Sequence, residues 1–279
     1  MGSFVALVLV GMWVAVFAAF VVSAVRQPTE RHVAAFANIY AVPVTTLTAS
    51  LIADALSWSR RWRVAGGVAA ALAWWAWSND TWPANFLVIA AGVAIGSLIA
   101  ELTRRPMRSA TVRAASTETR SATDYVQRFA VTGFVVVWLL LLVVVVVAAF
   151  SLTTPDVISG SDLVIGIGGV VIGGGAVPLS RTIARRPAPR EEPAVAAVLH
   201  AVRTASIGSV LGGGLVIMAT GTYRVAFSMA LADSEMSAPI RHLNNAAVWM
   251  SIAATFGGLG LIVGSFPRRP HRRHEAVAA

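Results

Sequence analysis

The chain has 279 residues, 57% of them hydrophobic and 13% charged, with a mean hydropathy of +0.72, whereas a water-soluble domain is roughly a quarter charged. Its 22 basic residues are all arginine and give a net charge of +9 at pH 7; in so apolar a chain this excess reads as loop arginines facing anionic lipid rather than as a nucleic-acid surface. Cysteine is absent, which excludes disulfides, thiolate metal sites and cysteine nucleophiles.

Eight windows are apolar enough to cross about 30 Å of hydrocarbon at about 1.5 Å of helix per residue. They are 4–25, 33–56, 64–79, 84–102, 129–151, 162–182, 202–221 and 246–266. The first is expected to stay in the protein. It has no basic leader, although Val22, Ser23 and Ala24 resemble a small-residue cleavage site.

The second window is the most polar, and Thr46, Ser50, Asp54 and Ser57 share one helical stripe with Pro43. A carboxylate within a span points to a polar cavity lining. In the plainer alternative the hydroxyls repair backbone groups freed by the proline, while Asp54 reaches Arg60 or Arg61. A re-entrant second segment would leave seven crossings and put the N-terminus outside. An inner loop with Arg60, Arg61 and Arg63, flanked by Trp58 and Trp62, is expected next. The third and fourth windows then enclose an outer turn at Asn79, Asp80 and Thr81, among Trp74, Trp75, Trp77 and Trp82.

Glu101 precedes Arg104 and Arg105 by three and four residues, the spacing of an interfacial ion pair. The arginine-rich stretch Thr103 to Arg128 reads as an inner loop lying on lipid or partly disordered. The uncharged run Val135 to Phe150 makes the fifth window the clearest span. Gly166 to Gly175 superficially resembles a dinucleotide loop, but Val171 occupies the place of the third glycine, and the segment lies inside a span. His200 has no second histidine at ligand spacing, so no metal is expected. The outer segment Thr222 to Asn245, with Asp233 and Glu235, is expected to hold a short interfacial helix or a lid.

Glycine pairs four residues apart occur at Gly92 and Gly96, Gly169 and Gly173, Gly208 and Gly212, and Gly260 and Gly264. Such pairs let helix backbones touch, within one subunit or between copies. Three of them precede an Arg-Arg-Pro at 104–106, 185–187 and 268–270, which is either an internal duplication or the coincidence of two common membrane features.

With both termini cytoplasmic, 18 of the 22 arginines lie inside, as the positive-inside rule demands. The expected fold is an all-α polytopic bundle of about eight spans, seven being the alternative, with one transmembrane domain over 1–266 and a basic cytoplasmic tail over 267–279. A lysine-free chain fits a GC-rich bacterial genome and hence a bacterial plasma membrane. H-E-x-x-H, G-x-S-x-G and Walker A motifs are missing, which points away from an enzyme and from a nucleotide or other cofactor. The expected function is a small transport or channel-like component. The alternatives are a non-catalytic scaffold subunit and a lipid-processing enzyme built on Asp54 and Glu101. The expected partners are the bilayer, anionic head groups at the inner arginines, and further copies or other membrane subunits.

Overall fold

A computed structural model describes residues 22, 26–77, 86–104, 121–126, 128–150, 160–186, 193–231 and 238–263. Of the described chain, 91% is helical and none forms a strand, as a solvent without hydrogen-bonding partners requires of isolated spans. The helices are α1 (Glu30–Tyr40), α2 (Thr46–Trp77), α3 (Phe86–Thr103), α4 (Arg128–Phe150), α5 (Gly160–Gly174), α6 (Ala176–Ala184), α7 (Pro193–Leu231) and α8 (Ala238–Val263), with a 3-10 turn at Ala122–Asp124. Five helical stretches are long and apolar enough to cross a membrane: Phe86–Thr103, Ala130–Phe150, Asp162–Ala184, Pro193–Met229 and Arg241–Ile262. The first expected span, most of the loop at 105–120 and the C-terminal tail lie outside the described residues.

Window 33–56 is not one helix. After Tyr40, Ala41 takes the left-handed conformation at φ 52°, and the Val42 amide bonds back to the Ala37 carbonyl at 2.9 Å, closing α1 with a Schellman-type bond. Pro43 follows without an amide to donate, and α2 starts three residues later. The loop expected around Arg60 is likewise replaced by helix. From Ser57 to Arg63 there is neither glycine nor proline, so nothing terminates the backbone, and α2 runs unbroken for 32 residues, about 48 Å.

The expected span 162–182 is one stretch, Asp162–Ala184, with a one-residue irregularity at Gly175 between α5 and α6. Pro178 explains the irregularity, because it cannot donate to the carbonyl four residues earlier. The segment Thr222 to Asn245 holds no separate short helix among its described residues, which belong to the two long helices that flank it. The α7 helix continues to Leu231 and α8 resumes at Ala238; Asp233 and Glu235 lie in the undescribed connection.

The centre of the bundle is α7, which packs against α2, α3, α4, α5, α6 and α8. Two-thirds of its apolar window is buried, against 28% for that of α4. Gly212, Gly213 and Gly214 explain how one helix is surrounded so closely. Successive residues turn by about 100°, so each glycine meets a different neighbour: Gly212 the Gly258 carbonyl of α8, Gly213 the Ala94 carbonyl of α3, and Gly214 the Ala176 methyl of α6 and the Gly173 carbonyl of α5. In water three glycines would weaken a helix by about 0.5–1 kcal/mol each relative to alanine. Here their missing methyl groups are what admits three backbones at once.

On the periphery, α4 exposes Val135, Val136, Leu139, Leu140, Val143 and Val146, and α5 exposes Val164, Ile165, Val171 and Ile172. Exposed apolar faces this broad belong against hydrocarbon. The 39-residue α7 is about 58 Å long, nearly twice the hydrocarbon thickness. Its amino-terminal Val198, Ala201 and Val202 pack with Val33, Phe36, Ala37 and Val42, and with Ile52 and Ala55 of α2. That second apolar cluster sits beyond the arginine-rich ends of the spans.

Candidate functional site

Five segments bring charged side chains together at the arginine-rich end of the bundle. The last turn of α3 supplies Glu101, and Arg104 follows it; the middle of α2 supplies Arg63; Arg186 follows α6; α7 supplies Arg203, Ser206 and Ser209; and Tyr125 follows the 3-10 turn. Glu101 is only 2% exposed. A carboxylate so buried is stable only when donors surround it.

The pairing is partial. Arg104 Nη1 donates to Glu101 Oε1 at 3.5 Å and to Ser206 Oγ at 3.0 Å, so the stronger of its two bonds is to the hydroxyl, and the ion pair is looser than the usual 2.7–2.9 Å. Arg63 Nη2 donates to Ser209 Oγ at 3.1 Å. Arg186 Nη2 donates to the backbone carbonyl of Glu101 at 2.8 Å, and Arg203 Nη1 to the Tyr125 hydroxyl at 3.4 Å. The Tyr125 ring in turn stacks on His200 with centroids 4.8 Å apart. Glu101 Oε2 and Arg63 Nε are buried with no hydrogen-bond partner among the described residues, although buried polar atoms are nearly always paired.

Three arginines, Arg63, Arg104 and Arg186, interact with the one carboxylate, and Arg203 adds its charge beside Arg186, which leaves the cluster positive. Arg186 shows the strain: burial, the largest cause, lowers its pKa from the usual arginine value, Glu101 opposes that shift, and Arg104 and Arg203 add to it. Arg63 interacts electrostatically with Glu101 and Arg104 as well. Glu101 and Arg104 were visible in the sequence as helix neighbours. Arg63, Arg186, Ser206 and Ser209 were not, because only the tertiary packing of α2, α6 and α7 brings them there.

The polar stripe of α2 lies elsewhere. Thr46, Ser50 and Asp54 are exposed and Ser57 is half-buried. Ser50 and Ser57 donate to the carbonyls of Leu47 and Asp54, three residues back, at 2.8 and 2.9 Å. Among the described residues the stripe therefore lies on the outer side of the bundle, not between helices.

Glycines set the spacing of the helices that carry the charges. A methyl on Gly66 would overlap the Gly92 carbonyl, and one on Gly96 the Trp62 carbonyl, so α2 and α3 meet backbone to backbone directly beside Arg63. Gly169 faces Ile217 and Gly221 of α7, and Gly173 faces Gly214 and Met218. Gly208 is buried in α7. Gly260 has nothing within 4 Å, and Gly264 lies outside the described residues. Trp58 ties the same region together, donating from Nε1 to the Ala100 carbonyl at 3.0 Å.

A line of buried polar side chains continues toward the opposite end. Asn244, Ser251 and Thr255 are buried on α8 and fall within about 40° of one another around the helix. Gly258, which touches Gly212, shares that face, so the line is turned toward α7. Thr255 bonds its own helix at Ser251, while Asn244 Oδ1 and Ser251 Oγ have no partner among the described residues. At the far end Asp162 of α5 accepts from Arg224 at 3.0 Å and from Ser228, both of α7. Comparisons with family profiles, with curated proteins and with solved structures found no match.

Proposed function

We propose that this chain is a small transport or channel-like component of a bacterial plasma membrane, without a nucleotide site of its own, and that the cluster around Glu101 is its working site. The observation that carries this reading is a buried carboxylate among arginines with polar atoms left unpaired among the described residues, continued by Asn244 Oδ1 and Ser251 Oγ between α7 and α8. Ionisable groups within a bundle are costly and are kept where solutes or ions pass. The stripe at Thr46, Ser50, Asp54 and Ser57 lends this reading no support, since it faces outward.

The helix boundaries favour seven crossings over eight. The apolar half of α2 pairs with α3 as one hairpin, while α1 and the first half of α2 stay on the side of Arg60, Arg61 and Arg63. With 4–25 as one crossing, the N-terminus lies outside and the C-terminus inside. The cytoplasmic face then holds 20 of the 22 arginines, all but Arg224 and Arg241, and they meet anionic head groups there.

Flux from reconstituted proteoliposomes tests the function. The purified chain is expected to pass ions or small solutes above the rate of protein-free liposomes, and Glu101→Gln to lower that rate about tenfold, a loss equivalent to about 1.4 kcal/mol. Flux indistinguishable from that of empty liposomes across potassium, proton and phosphate gradients would refute it.

A scaffold role is the second reading, favoured by the open face of α8. Ala253, Phe256, Gly257 and Gly260 are exposed there and Trp249 is 71% exposed, which suits close contact with another copy or a different membrane subunit. A stoichiometric partner lost on Gly257→Leu would favour it. The lipid-processing reading draws no support from burial, because Asp54 is exposed while Glu101 is buried.

A further inference from the structure

We infer that the cluster formed by Glu101, Arg63, Arg104, Arg186, Ser206 and Ser209 binds a phosphate group that still carries a proton, as inorganic hydrogenphosphate or as a protonated phosphomonoester. The inference rests on the same site as the proposed function but stands apart from any flux.

The chemistry follows from which atoms are already engaged. Arg63 commits Nη2 to Ser209, while its Nε is buried and finds no acceptor among the described residues, so one N–H donor of the cluster is left over. Ser206 and Ser209 accept from Arg104 and Arg63, and a hydroxyl that accepts keeps its own proton to donate. Arg186 and Arg203 add charge around the same point. These groups are all donors, and together they carry more positive charge than Glu101 cancels. Planar guanidiniums with hydroxyl donors suit a tetrahedral oxyanion.

Glu101 makes the inference specific. Among the described residues its Oε2 is an acceptor without a donor, and it would repel an anion whose oxygens are all bare. A phosphate bearing a proton turns that repulsion into a hydrogen bond, with the ligand P–O–H donating to Oε2 and its remaining oxygens accepting from the arginines and serines. Sulfate has no proton at neutral pH, and a phosphodiester head group has none either. The cluster is therefore built to prefer phosphate over sulfate and a monoester over a diester. No covalent step is involved.

The test uses the full chain in detergent micelles and in nanodiscs. In micelles, inorganic phosphate at constant ionic strength is expected to raise the melting temperature saturably, and sulfate to bind about tenfold or more weakly. Glu101→Gln should bring the two anions to similar affinity, a change of selectivity that mere loosening of the fold would not produce. Arg63→Gln and, independently, Arg186→Gln should each weaken phosphate binding about tenfold, so an unfolded single variant does not decide the matter. Arg181→Gln, on the exposed face of α6 at the same end, should bind as the native chain does.

In nanodiscs, stabilisation by phosphatidic acid over phosphatidylcholine, with inorganic phosphate inert, would assign the site to a lipid monoester; the reverse would assign it to free phosphate. No response to either, or sulfate discrimination surviving in Glu101→Gln, would overturn the inference. Phosphate binding with no flux would refute the transport reading alone, and flux without phosphate binding would refute this site alone.

Discussion

Ala41 holds the left-handed conformation at φ 52°, where its Cβ crowds the backbone, at a cost of about 1–2 kcal/mol that glycine does not bear. Ala41→Gly is therefore expected to raise stability by about 0.5–1 kcal/mol, after the greater freedom of glycine in the unfolded chain is subtracted. A higher midpoint in thermal unfolding of the purified protein would show it, and a lower one would mean that the turn between α1 and α2 is not the one described. At this scale the sequence was only partly legible. The spacing from Glu101 to Arg104 announced an ion pair, and the structure contains it. Nothing in the spacing announced that Glu101 is buried, because burial is imposed by α2, α6 and α7, which reach Glu101 from distant parts of the chain. For the stripe at Thr46, Ser50 and Asp54 the reverse held. Periodicity placed those residues on one face, but a period carries no information about whether that face meets another helix or the surroundings.

Among the elements, the glycines separate into two groups that a pattern search treats alike. Gly212 lies against the Gly258 carbonyl, whereas Gly260 faces open space. Gly212→Ala should thus force α7 and α8 apart and cost about 1–3 kcal/mol, while Gly260→Ala should stay within about 0.5 kcal/mol of the native protein. Comparable losses from both, measured by thermal unfolding, would contradict the packing of α8 on α7. The Val-rich α4 illustrates what composition reads well. In water such a run favours strand, but in hydrocarbon a lone segment satisfies its backbone only as a helix. Composition reads the ends of elements poorly. The arginines at 60, 61 and 63 suggest a turn in the sequence but lie inside one helix, because topology rules locate charge and do not break a backbone. A break occurs at Ala41 to Pro43 and an irregularity at Gly175, where a proline removes a donor.

For the whole molecule, one long buried helix and its glycine waist organise the bundle, and the charged cluster sits where α2, α3, α6 and α7 converge. The membrane character was legible from composition alone, since burying so many apolar residues needs a second solvent. The elements within residues 33–56 were not, because that window is apolar enough to resemble a span while folding as the end of α1, a turn and the start of α2. The proposed seven-span layout puts α1 on the same side as the arginine cluster. It is tested most directly at Gln27, an exposed position just before α1, in a chain with no native cysteine. With Gln27→Cys, a membrane-impermeant maleimide is expected to label the protein in inverted vesicles and not in intact cells. Labelling from the cell exterior would restore the eight-span layout and contradict the placement of α1 beside the cytoplasmic arginines.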